Sequence, residues 1–266
     1  MDPISSLTLA GAFLALAVFG KGFRRLRRRG RRYVSWGQAT LYVAGVAIGV
    51  LAVSPPLDSV ADELLAAHMF QHLLLGDVMP LLLVVAVRGP MSVFFLPASV
   101  LRRVGRLRPL QRLLAMALTP TMSLAAWTVV IAAWHLPAAY DFALAHESAH
   151  VFEHLSFVVV GLLVWTQIVA PSRHQRVGPG RRALFAVAVL VVGMVLSEVL
   201  LVAGPLYPHY RQVVDRPFGF SAAEDQNRAA LLMMAEQIAT LGTAAALLVW
   251  THVESLSAGA ATTEPR

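Results

Sequence analysis

Hydrophobic and polar positions along this chain segregate into long blocks. Extended apolar runs alternate with short segments that are rich either in arginine or in proline and acidic residues. A membrane-crossing helix needs about 20 mostly apolar residues. Seven stretches meet that pattern: Ser5–Gly20, which is short, then Tyr33–Val53, Asp62–Val87, Leu113–Ala133, His150–Ala170, Arg182–Ala203 and Asn227–Thr251. The pattern predicts an all-α polytopic membrane helical bundle, with residues 1–266 as a single integral membrane domain. Ser5–Gly20 does not read as a signal peptide, because no basic residue precedes it and a basic run follows it. Pro120 falls in the first turns of the fourth span, where a missing N–H does little harm. Pro80 lies inside the third and predicts a kink there. The tail after Thr251 reads as disordered.

Composition strengthens this reading. The chain is 57% hydrophobic and 14% charged, with a mean hydropathy of +0.65. Soluble domains carry about a quarter charged residues, so a water-soluble globule and a disordered chain are both excluded. A net charge of +7 raises the question of nucleic acid. The location of the charges answers it. Eighteen of the 22 Lys and Arg residues lie between spans one and two, three and four, or five and six. The third of these segments carries Arg173, Arg176, Arg181 and Arg182. The opposite loops hold Asp58, Asp62, Asp141, Glu147, Asp215, Glu224 and Asp225. The positive-inside rule then places the N-terminus outside and the C-terminus in the cytoplasm. Loop arginines contact anionic lipid, and no nucleic-acid partner is needed to explain them. The chain has no cysteine, so soft-metal chemistry must rest on His, Met and carboxylates.

The histidines are clustered. Of nine, seven fall near the expected outer surface: His68, His72, His135, His146, His150, His154 and His209. Only His174 and His252 lie on the other side. Residues four apart share a helix face, so His68 and His72 point one way on span three. His146, His150 and His154 repeat that spacing at the entry to span five. Both spans run inward from the same surface, so their histidines lie at similar depth. Imidazole is the commonest metal ligand and suits copper, zinc, iron and nickel. The expected unit is His68/His72 with His150/His154, with His135 and His146 as further candidates. The alternative is interhelical hydrogen bonding or proton handling by the same rings. His146-Glu147-Ser148-Ala149-His150 also matches the H-E-x-x-H zinc protease signature, but it straddles a loop and the start of a span.

Acids and thioethers add further candidates. Asp77, Glu198 and Glu236 lie inside spans, where carboxylates are costly and point to function. Asp225 stands where span seven begins and reads as its cap. Met69 and Met79 accompany the span-three histidines, and Met233 and Met234 lie deeper in span seven. A thioether suits Cu(I), although most buried Met simply fills gaps. Met69, Met233, Asp225 and Glu236 are the additional candidate ligands.

Three ordered blocks resemble the seven-helix CtaG family of bacterial cytochrome c oxidase assembly factors. The first is His68-Met-Phe-Gln-His72-Leu-Leu-Leu with Pro80-Leu-Leu-Leu and Gly89-Pro90. The second is Trp134-His135-Leu-Pro137 with Tyr140-Asp141, His146, His150 and Glu153-His154. The third is Tyr207-Pro208-Tyr210, then Asp225-Gln226 and Met233. The resemblance implies a non-enzymatic factor in the bacterial cytoplasmic (inner) membrane. Its partners would be oxidase subunits and a copper donor protein, and its cofactor would be copper bound or delivered through the His cluster. The residues alone leave three alternatives: a haem-b membrane cytochrome, a metal transporter using Glu198 and Glu236, or an H-E-x-x-H membrane metalloprotease.

Overall fold

A computed structural model describes residues 3–94, 102–103, 105–170 and 177–261. Arg173, His174 and Arg176 of the third basic segment lie outside the described residues. The described chain is all-helical and contains no strand.

The first helix, α1 (Pro3–Arg29), runs past the expected end at Gly20 and through most of the arginine run. Arginine is a good helix former. Arg27, Arg28 and Arg29 occupy the last turn, where the helix dipole favours cations. Much of the first basic segment is therefore helix surface rather than loop. Helix α2 (Trp36–Ala52) starts at a capping box between Ser35 and Gln38 and has 17 residues. A short α3 (Leu57–Ala61) leads to α4 (Leu65–Ala86). Inside α4, Leu74–Val78 form a π turn. Pro80 clashes with the carbonyl four residues back. The widened turn ahead of it accommodates that misfit, and Leu65–Ala86 reads as one candidate span of 22 residues.

The expected span Leu113–Ala133 is divided. Helix α5 (Arg108–Ala117) and α6 (Pro120–Trp134) meet at 75°. Thr119 accepts from Met122 N–H as an N-cap, and Pro120 opens α6. A cap followed by Pro is a helix start, which sequence periodicity alone merges with the apolar residues before it. After α7 (Pro137–Ala145) come α8 (Glu147–Val169) and α9 (Pro179–Val202). The last helix, α10, joins Ala222–Gln237, a π turn Ile238–Gly242 and Thr243–Ala261. Ser221 caps it through a box with Glu224, so the expected cap at Asp225 is corrected by one turn. The tail beyond Thr251 is also corrected, since it stays helical to Ala261.

By length and composition α4, α8, α9 and α10 can each cross a membrane, and counting the bent α5–α6 pair as one span gives up to five among the described residues. This is a multi-pass membrane protein. Large apolar side chains such as Val159, Val191, Val195 and Leu247 point outward from the bundle, as lipid-facing positions do. Helix α4 is central and packs against α2, α8 and α10. Its contact with α8 is close. A Cβ on Gly161 would fall on the carbonyl oxygen of Gly76, so only glycine lets these backbones meet.

Candidate metal centre

The close α4–α8 contact brings two sets of side chains together at one end of the bundle. On α4, His68 and His72 lie one turn apart. On α8, His150, Glu153 and His154 share a face at i, i+3 and i+4. Ring centroids are 4.4 Å apart for His68–His72, 4.3 Å for His150–His154, 5.1 Å for His68–His150 and 5.3 Å for His72–His154. The ligand atoms of His68, His150 and His154 all lie within 4.8 Å of one another, as do those of His68, His72 and Glu153. His68, His72 and Glu153 are buried.

Hydrogen bonding settles where the protons sit. The Tyr210 hydroxyl donates to the Ala61 carbonyl at 2.7 Å. Its oxygen then accepts from His68 Nδ1–H at 3.0 Å. Burial pushes the Tyr210 hydroxyl well above its usual range, so it stays a donor. With Nδ1 protonated, neutral His68 presents its lone pair on Nε2. His72 Nε2–H donates to that atom at 2.9 Å. The His72 lone pair is thereby left on Nδ1, which is buried and unpartnered. Fixing the tautomer of a metal-binding His through its second nitrogen is the usual task of an outer shell.

The donor set fits a metal. Nε2 of His150, Nε2 of His154 and Oε1 of Glu153 are buried without a hydrogen-bond partner. Glu153 Oε1 stands 3.6 Å from His72 Nε2, beyond hydrogen-bond length. Each such orphan costs about 1–3 kcal/mol. A cation at the His68–His150–His154 triad would satisfy the two imidazoles, and one at the His68–His72–Glu153 triad would satisfy the carboxylate. The imidazoles pack directly on one another, so no haem-sized slot separates them among the described residues.

The surrounding framework explains the remaining motif residues. Gln71 is buried and donates to the Ala52 carbonyl at 2.7 Å and to Asp58 Oδ1 at 3.0 Å. It ties the His turn to the end of α2. Asp225 accepts from the N–H groups of Leu65 and Ala66 and pairs with Arg216 at 3.6 Å. It caps α4, not its own helix, and lies outside the cluster. Gln226 closes the end of α9, donating to the Leu200 carbonyl at 2.9 Å and accepting from Leu206 N–H at 2.8 Å.

The structure places the other candidates as follows. His146 precedes α8 in extended conformation, with Nδ1 2.9 Å from the Phe142 carbonyl. It belongs to no metal-capable group among the described residues. His146 and His150 therefore do not form the one-face helical pair that the protease signature requires. Glu198 is exposed on the outside of α9, away from any path through the bundle. His135, Met69, Met233 and Glu236 line a cavity of about 60 Å³ that starts at His72 and runs deeper into the bundle. Asp77 lines it too, accepting from the Trp165 indole N–H and from Thr240 Oγ1 at 2.7 Å. Glu153 joins one of the metal-capable groups and was not among the candidates read from the sequence. Its i, i+3 spacing from His150 was the available signal.

Comparison with known proteins finds one family model, described as cytochrome c oxidase caa3 assembly factor, which matches residues 17–255. No curated protein and no solved structure matches the chain.

Proposed function

Because the chain belongs to the family of cytochrome c oxidase caa3 assembly factors, we propose that it serves oxidase assembly by binding copper at the His cluster and delivering it to the oxidase. The observation that carries this is that α4 and α8 bring together two metal-capable triads that share the buried His68: His68, His150 and His154, and His68, His72 and Glu153. The donors are imidazole and carboxylate, the chain has no thiolate, and imidazole suits copper. His68 Nε2, His150 Nε2 and His154 Nε2 form the primary set, with His72 and Glu153 flanking it; copper at His68 Nε2 would take the place of the hydrogen bond which that atom accepts from His72 Nε2–H. Bound there, copper would be held by neutral rings that Tyr210 and the helix packing orient in advance.

The role is non-catalytic, since no step of bond-making is needed to hold and release an ion. The setting we assign is the bacterial cytoplasmic membrane, with the His end facing outward. The partners are the oxidase and a copper donor on the outer side. The test is copper content of the purified protein. One copper per chain is expected at the cluster, lost in His72→Ala/His154→Ala. Unchanged cluster copper in that double variant overturns the assignment.

A further inference from the structure

We propose that the cavity beneath the cluster is a second, softer cation site, suited to Cu(I), built from His135, His72, Met69 and Met233. It rests on the copper reading of the cluster only for the source of the ion.

The cavity is lined by side chains from α4, α6, α8, α9 and α10. Three of its polar lining groups are at least nine-tenths buried and lack a partner: His72 Nδ1, His135 Nε2 and Gln237 Oε1. All three are acceptors. The proton placement above leaves the His72 lone pair on Nδ1. His135 Nδ1–H donates to the Ile131 carbonyl at 2.8 Å, so its lone pair is on Nε2. Gln237 uses its amide N–H on the Met233 carbonyl at 3.1 Å, which leaves its oxygen free. Both carboxylate oxygens of Glu236 are likewise buried and unpartnered. A cavity onto which three buried acceptors open without a partner suits a cation.

The softness of the site comes from two thioethers. Met69 is 1% exposed and Met233 is 5% exposed, and both line the same cavity. Imidazole nitrogen with thioether sulfur favours Cu(I) over harder divalent ions. Asp77, which lines the same cavity, is the acid that offsets a cation at this depth. His72 adjoins both places: its Nε2–H donates to His68 Nε2 in the cluster, and its Nδ1 lone pair lies beside the cavity.

The test titrates the full-length protein in detergent with Cu(I) from its bicinchoninate complex, then reads the copper shell by X-ray absorption. Wild type is expected to take two Cu(I) per chain, with sulfur scatterers present. Met69→Leu/Met233→Leu should take one, with the sulfur shell gone. Leu for Met nearly conserves volume, and an unchanged elution profile verifies folding. His150→Ala/His154→Ala should keep one Cu(I) with the sulfur shell intact. A sulfur shell that persists in the Met variant overturns the inner site, as does a wild-type protein holding only nitrogen- and oxygen-bound copper. If His150→Ala/His154→Ala binds like wild type while the Met variant loses one ion, the cluster reading fails and the inner site stands.

Discussion

The carboxylate of Asp225 accepts a hydrogen bond from Leu65 N–H at 2.9 Å, across a separation of 160 residues. It takes a second from Ala66 N–H at 3.0 Å. Helix α4 has no side-chain cap of its own, since Leu64 stands at the N-cap. The first turn that carries His68 is therefore held by α10.

Asp225→Asn keeps one capping acceptor and removes the partner of the buried Arg216 guanidinium. The expected loss is about 1–3 kcal/mol of stability, read as a lower melting temperature in detergent. Copper stoichiometry should stay at the wild-type value, because Asp225 is a structural anchor. Loss of copper at unchanged stability would show it to be a ligand instead.

Tyr210→Phe leaves His68 Nδ1–H without its acceptor and removes the donor to Ala61. The tautomer of His68 is then no longer fixed. Outer-shell losses of this kind reduce metal affinity by about 10–100-fold. A chelator-competition titration should show that fall with the stoichiometry intact.

Gly161→Ala places a methyl group against the Gly76 carbonyl. Overpacking of this sort costs about 1–3 kcal/mol. Because the ligands are divided between α4 and α8, the same change should weaken copper binding. Gly20→Ala is the matched control: no atom lies within 4 Å of its added Cβ, and both stability and copper should be unaffected.

Copper at the cluster requires neutral imidazoles, so protons compete with it. Affinity should fall as pH is lowered and recover when it is raised. Removing copper with a chelator should also lower the melting temperature. An ion present at about 100 times its Kd contributes about 2.7 kcal/mol. A melting temperature indifferent to both copper and pH would count against a site in the folded bundle.

The block pattern of apolar residues determined the helical membrane class, because a backbone in lipid must satisfy its own hydrogen bonds. The i, i+4 spacings also placed His68 with His72, and His150 with His154, on common faces. Local signals could not reveal what depends on distant partners. The break at Thr119–Pro120 was hidden within continuous apolarity and needed the capping bond to define it. Asp225 looked like the cap of its own helix, yet its carboxylate serves one 160 residues away. The partnership of α4 with α8 was decided by the Gly76–Gly161 approach, a surface match that spacing along either helix does not encode. The tertiary structure also separated His146 from the cluster, added Glu153, and turned His135 into the cavity. Periodicity fixes the face of a helix, and only packing fixes what that face meets.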